Sequence, residues 1–282
     1  MPWVVTPSKI PARSFRFIDM KQFDAVVIGG GILGCFTARN LRRWNISTLL
    51  IEKEEDVCKG ITRANSAIVY AGYDNKPGSM KAAMTVRGNA NMAALCEELD
   101  VSFSRCGSLL VTYDESAVSK LERKLQNGIQ NGVPGLRLLS GGEAETLEPM
   151  LKPGVVAALY APSTGTVNPW QLGIAAYENA LQNGAEAMLQ TSVLDISRTD
   201  CGYVLKTNRG EFSCKMIFNC AGLSADQVQE LLFPPSVRLH LLLLLLLMRL
   251  ILFLLSFCNG YIAFLLFLLF SFLFSPPHHI SP

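Results

Sequence analysis

The chain has 282 residues, half of them hydrophobic, with 25 basic against 23 acidic side chains. That length holds one large or two ordinary domains, and a net charge of +2 excludes the strongly basic surface of a nucleic-acid binder. The cysteines, Cys35, Cys58, Cys96, Cys106, Cys201, Cys214, Cys220 and Cys258, include no C-x-x-C pair. Neither a metal site nor a redox dithiol is therefore expected. Their scatter implies small buried apolar residues in a reducing compartment.

Residues 1–20 read as an irregular extension, with Pro2, Pro7 and Pro11, and with Lys9, Arg13 and Arg16 against the single acid Asp19. A basic, acid-poor start is the composition of an organelle transit peptide. The prolines work against the amphipathic helix that such a peptide needs. Met20 as the true start is the simpler reading. A mitochondrial address is not favoured, and a cytoplasmic or membrane-associated location is expected.

The next stretch, FDAVVIGGGILGCFTARNLRR over 23–43, organises the rest. The apolar run 23–28 predicts a strand, and the pattern through Ala38, Leu41 and Arg42 predicts a helix. Between them Gly29, Gly31 and Gly34 stand in G-x-G-x-x-G spacing. In that setting the first glycine permits the tight turn and the second lets the backbone approach a pyrophosphate. The third lets helix pack on strand. A second strand over 48–51 ends in Glu52, about twenty residues on. A carboxylate there accepts hydrogen bonds from ribose hydroxyls and repels a 2′-phosphate. An adenine dinucleotide other than NADP is the expected ligand.

Segment 60–83 reads GITRANSAIVYAGYDNKPGSMKAA. Thr62, Asn65 and Ser66 are short polar side chains beside the dinucleotide turn. They suit a pyrophosphate or a ring system, and equally suit turns, where such residues bond to their own backbone. The order GGGILG, IEKE, G-x-T-x-x-N-S and AGYDNKPGSMKA resembles the FAD-dependent oxidoreductases of the D-amino-acid-oxidase superfamily. Within it, the likeness is to the branch of anaerobic glycerol-3-phosphate dehydrogenase and L-2-hydroxyglutarate dehydrogenase, and it runs from about Met20 to Glu230. The resemblance, not the glycine motif, selects FAD over NAD. It implies that Gly29, Gly31 and Gly34 lie under the FAD pyrophosphate, that Glu52 holds the adenosine ribose, and that Thr62, Asn65 and Ser66 lie along pyrophosphate and flavin. Two positions depart from the family. Ala67 stands where relatives carry Gly, and Tyr70 where they carry a His beside the flavin. Tyr70 is the flavin-facing candidate, but a phenol with a pKa of about 10 is a poor general base at neutral pH. No catalytic base is assigned.

Further along, a helix is expected over 84–100, with Met92, Leu95 and Leu99 on its apolar face. A strand follows over 107–113, a helix over 115–131, and strands over 136–139 and 155–160. These build a second domain around the substrate, with Arg87, Arg105, Arg123 and Arg137 as candidate anion binders or as solvated surface. A turn then leads into a helix over 169–183, closed by Gly184, and a strand. Strands over 193–197, 203–207 and 211–214 form a meander, and a last strand over 215–220 ends in NCAGLSAD. The resemblance places a backbone contact to adenine at Val193, and brings Ala221 and Gly222 up to the cofactor.

After Phe233 the likeness ends and the chain becomes apolar and monotonous, with seven leucines over 241–247. Residues 250–274 are long enough to span a bilayer. A translated non-coding tract and a buried core helix are the competing readings. Relatives continue with more of the substrate domain and a second glycine-rich turn, which are not legible here.

The expected fold is α/β. A Rossmann-like FAD-binding domain occupies 21–85 and 160–232, and an incomplete mixed-sheet substrate domain occupies 86–159. An apolar C-terminal helical tail occupies 233–282. The expected function is FAD-dependent dehydrogenation of a small anionic 2-hydroxy compound such as glycerol 3-phosphate, by hydride transfer to flavin, with a separate electron acceptor. The alternatives are an L-2-hydroxyglutarate dehydrogenase, or an inactive membrane-anchored dinucleotide-binding fragment. Without the second half of the site, weak FAD binding and little turnover are expected.

Overall fold

The β-branched run at the start of the glycine motif forms strand β1 (Lys21–Ile28), whose residues 25–28 are all buried. A strand apolar on both faces belongs inside a parallel sheet. The structure, a computed structural model describing residues 20–233, places it there. The chain divides into two compact units, Met1–Val228 and Gln229–Pro282, and all but the first few residues of the second lie outside the described residues.

In chain order β1 is followed by α1 (Ile32–Arg42), β2 (Thr48–Ile51), β3 (Ile68–Val69), α2 (Met80–Glu98), β4 (Phe103–Ser104) and β5 (Ser108–Thr112). Then come α3 (Val118–Gln130), β6 (Arg137–Ser140), α4 (Gly141–Leu147), β7 (Ala157–Ala161), β8 (Gly165–Val167) and α5 (Pro169–Gln182). The described part closes with β9 (Glu186–Met188), β10 (Val193–Thr199), β11 (Gly202–Thr207), β12 (Gly210–Asn219) and α6 (Ala225–Leu232).

The main sheet has the order β10-β11-β12-β1-β2-β9. It is mixed: β12, β1, β2 and β9 run parallel, while β10, β11 and the first half of β12 form an antiparallel meander. Two three-stranded sheets, β3-β8-β4 and β5-β7-β6, complete the strands. On the main sheet lie α1 and α5, whose small residues Cys35, Ala38, Ala176 and Ala180 join Val27, Leu50 and Leu172 in one core cluster. Each fully buried Val or Leu there contributes about 1.5–3 kcal/mol. Arg39 of α1 is buried in this layer and donates to Asn179 of α5 at 3.0 Å and to Glu98 of α2 at 2.5 Å. On the rim of the sheet Asp24 accepts from Lys215 and from Ser47, which holds its carboxyl well below the usual carboxylate range.

Several elements differ from the sequence reading. The strands expected over 211–214 and 215–220 are one continuous strand, β12, because its first half pairs with β11 while its full length runs along β1. The helix expected from residue 115 begins with a 3-10 turn capped by Asp114 and becomes α-helical at Val118. Helix α4, absent from the reading, carries a capping box of Ser140 and Glu143. Strands β3, β4 and β8 have only two or three residues and take their order from pairing with each other. Cys35, Cys58, Cys96 and Cys214 are buried as expected, but Cys106 and Cys201 are exposed. The transmembrane reading of 250–274 falls outside the described residues; among the described residues no helix is long and apolar enough to cross a membrane.

Candidate dinucleotide site

The parallel register sets Ile28 beside both Ile51 and Asn219, so β1, β2 and β12 end side by side. Ligands of open α/β sheets bind outside such carboxyl ends. Gly29 donates to Ile51 O at 2.8 Å and Cys220 donates to Ile28 O at 2.8 Å, which locks the three loops together.

Two of the glycines are demanded by the protein itself. Gly29 has φ +107, and a Cβ there would stand 2.4 Å from Cys220 O. A Cβ on Gly34 would stand 1.8 Å from Gly29 O, so α1 sits on the turn at a distance only glycine permits. Gly31 differs: a Cβ would meet only the Thr62 hydroxyl, at 3.4 Å. Protein packing alone therefore does not explain glycine at that position. A backbone left clear in this way is what a phosphate-facing turn requires.

Gly31 caps α1 without a side chain. The first amide of the helix, on Ile32, donates to Thr62 Oγ1 at 3.0 Å. Thr62 is buried there, in a 3-10 turn, at the positive end of the helix dipole. Glu52 follows β2 and is half-buried. Its Oε2 accepts from the Gly30 amide at 2.5 Å, and its Oε1 accepts from the Glu54 amide at 2.9 Å. Each carboxylate oxygen keeps a second lone pair for a hydroxyl donor. A helix start whose cap residue carries no side chain, a glycine with room before it and an oriented carboxylate fit the pyrophosphate and ribose of an adenine dinucleotide.

Ala221 and Gly222 arrive at the same place from β12. The Ala221 Cα is 3.0 Å from where a Gly29 Cβ would be, and Gly222 turns with φ +56. Val193 opens β10 opposite Thr207. Two residues earlier, Thr191 donates its amide to Glu52 O at 2.8 Å, so this edge of the meander meets the Glu52 loop.

The remaining candidates line the segment after Thr62. Asn65 is occupied with its own turn, donating to Thr62 O at 2.8 Å and accepting from the Ala67 amide at 2.8 Å. Ser66 and Tyr70 are exposed and share a hydroxyl contact at 3.4 Å. Tyr70 therefore presents its phenol on the Ser66 side of β3.

Three contributors were not singled out for these roles by the sequence. Gly30 supplies the amide to Glu52, and a Cβ there would stand 3.1 Å from the Glu52 side chain. Its place as the middle glycine of GGGILG was its only signal. Asn89, buried on α2, donates to Val69 O and Tyr70 O, both at 3.2 Å, and to Ser163 O at 2.9 Å. Arg105, a candidate anion binder by sequence, donates to Asn89 Oδ1 at 3.2 Å and Ser163 O at 2.7 Å and lies over the Phe103 ring. Together they fasten the chain at the end of β3, where Tyr70 follows Val69.

The glycerol 3-phosphate dehydrogenase of Caloramator mitchellensis is 42% identical over 210 residues, covering 74% of this chain and 44% of that protein. An L-2-hydroxyglutarate dehydrogenase of Indibacter alkaliphilus is 34% identical over 213 residues, covering 74% of this chain and 53% of its own length. The chain thus spans about half the length of the curated relatives it matches. Among solved structures, a dithionite-reduced L-alpha-glycerophosphate oxidase from Mycoplasma pneumoniae with FAD bound superposes with a TM-score of 0.71 at 28% identity. That match covers 75% of this chain and 57% of the oxidase. The family match spans residues 24–246, so the likeness continues past residue 233, where the sequence reading ended it. From this match and the site at the ends of β1, β2 and β12, the chain belongs to the DAO family of FAD dependent oxidoreductases, whose cofactor is FAD.

Proposed function

We propose that the crevice at the ends of β1, β2 and β12 holds the adenosine diphosphate half of FAD. In this reading Gly31 and the start of α1 face the pyrophosphate, and Glu52 takes the ribose hydroxyls. Ala221, Gly222 and the Val193 backbone close the adenosine side, and Ser66 and Tyr70 line the way to the flavin. FAD, when bound, supplies the redox chemistry, as acceptor of a hydride from substrate. The chain's own residues bind it, orient it and exclude water. The observation that carries this reading is the Glu52 carboxylate, held by the Gly30 amide at 2.5 Å beside Gly31, where an added Cβ would meet only the Thr62 hydroxyl at 3.4 Å.

The whole protein is, in the same proposal, a dehydrogenase of a small anionic 2-hydroxy compound, glycerol 3-phosphate before others, with a separate electron acceptor. The 42% identity to a glycerol 3-phosphate dehydrogenase supports that order of preference. L-2-hydroxyglutarate is the second substrate reading, supported by a relative at 34% identity. Anaerobic addition of each compound to the FAD-loaded chain tests both. Slow bleaching of the flavin by glycerol 3-phosphate in a single reductive step, short of sustained turnover, is the expected result, and bleaching by L-2-hydroxyglutarate alone selects the second reading. Bound flavin that neither compound reduces leaves only a dinucleotide-binding fragment.

A further inference from the structure

The sheet β5-β7-β6 brings three chain segments to one end. Thr112, Ala157 and Ser140 stand side by side in its register, so the chain leaving β5, the chain entering β7 and the start of α4 meet there. The stretch 141–156 is pinned in place. Ser140 and Glu143 close a capping box on α4. Glu145 Oε1 accepts from the Gly154 and Val155 amides at 2.9 and 3.2 Å, and Glu148 Oε1 accepts from the Met150 amide at 3.0 Å. Leu151 donates its amide to Glu148 O at 3.1 Å and packs against the small core of Leu139, Ala144, Val155 and Ala158. Tyr113, just past β5, donates its hydroxyl to Lys152 O at 3.1 Å.

This scaffold presents apolar side chains to water. Met150 is 90% exposed, with Leu147 at 49% and Tyr113 at 46%. The neighbour of Met150 is in the core and its own amide is held, so its exposure is built into the loop and is not fraying. The surroundings are acidic. Across 113–119 and 138–156, Asp114, Glu115, Glu143, Glu145 and Glu148 stand against Lys152 alone. Among the described residues none of these carboxylates is in an ion pair. Hydrogen bonds from Ser116 and from Ser140 hold Asp114 and Glu143 below the usual carboxylate range, so both stay charged at neutral pH without a cation.

We propose that Met150, Leu147 and Tyr113 form a docking surface for a basic protein segment, which sets an apolar anchor beside Met150 and lysines or arginines against the acidic rim. Clustered exposed apolar side chains rimmed by polar ones mark interaction sites. Methionine adapts its shape to an anchor, and a pinned loop lowers the cost of ordering on binding. The charge selects the partner. Nucleic acid and anionic lipid carry the wrong sign. A second copy meeting this surface through a two-fold axis would set carboxylates against carboxylates.

The test titrates the full chain into a labelled, lysine-rich helical peptide bearing a leucine and tryptophan anchor, followed by fluorescence anisotropy. The expected result is saturable binding that weakens as salt rises from about 50 to 500 mM and is absent for the same peptide with glutamate in place of lysine. Met150→Ser should weaken it about tenfold. Glu143→Gln with Glu148→Gln keeps acceptors for the Ser140 and Met150 amides and removes the charges, and should also weaken it about tenfold. Carbodiimide cross-links from the peptide should map to Asp114, Glu115, Glu143 and Glu148. All these side chains lie on the surface, and unchanged melting temperatures show that the variants fold. The proposal is overturned by no saturable binding, by binding that Met150→Ser leaves unchanged, or by cross-links spread over other exposed acids such as Glu97 and Glu178. Self-association of the chain that Met150→Ser abolishes also overturns it, in favour of a second copy. FAD plays no part in this titration, so its failure leaves the dinucleotide reading standing, and the reverse also holds.

Discussion

Ala67 occupies a conformation that favours glycine. Its φ is +59, its amide is held by Asn65 Oδ1 at 2.8 Å, and its carbonyl accepts from Val167 at 3.1 Å. A Cβ in the left-handed region costs about 1–2 kcal/mol. Ala67→Gly should therefore raise the urea midpoint by about 1 kcal/mol of stability, reduced by the extra freedom glycine gives the unfolded chain. An unchanged or lower midpoint contradicts the strain. Cys214 sets a pH limit at the same scale. Burial pushes its thiol up from 9.0 to about 11. The folded chain then holds a proton that the unfolded chain releases first. This contribution to stability is complete below pH 9 and is lost as pH rises through about 11. Melting temperatures across that window should fall less steeply for Cys214→Ala than for the wild type, and equal slopes contradict the assignment. The residues legible in sequence were those bound by hard sterics, Gly29 and Gly34, and the charge at Glu52. Asn89 and Arg105 were not, because their partners are carbonyls of Val69, Tyr70 and Ser163, far along the chain.

Elements with their own periodicity or punctuation were readable. β2 lies where the sequence puts it, and α5 starts at its expected Pro169, capped by Asn168. The helix α2 starts four residues earlier than its apolar face suggests, because Ser79 caps it by accepting from Ala82. β3, β4 and β8 were not readable, since strands this short exist only through mutual pairing. α1 and α2 are joined by an ion pair whose energetics run against its exposure. Glu98 has half its side-chain surface in water, while its partner Arg39 has 5%. Removing the exposed partner strands the buried guanidinium. Glu98→Ala should cost about 1–3 kcal/mol, more than a half-exposed surface residue normally does. Chemical denaturation measures this directly, and a change within a few tenths of a kcal/mol contradicts it.

Over the whole molecule, the parallel core of the main sheet comes from two distant stretches. β1 and β2 lie before residue 52, and β9 and β12 lie after residue 185. The intervening chain builds the sheets β5-β7-β6 and β3-β8-β4, and Tyr70 directly follows β3. The dinucleotide crevice is therefore made by register between segments far apart in sequence, and the glycine motif supplies one wall. That wall was legible; the approach of Cys220 and Ala221 to Gly29 required pairing of β12 with β1. The test of first choice is equilibrium titration of the full chain with FAD, followed by flavin fluorescence, beside Glu52→Ala and with NADP as competitor. Saturable binding is predicted. It should be weakened about tenfold or more by Glu52→Ala, the loss of one to two charge-assisted hydrogen bonds, and resist NADP. A folded chain with no saturable binding, or one whose affinity Glu52→Ala leaves unchanged, would contradict the assignment of this crevice to FAD.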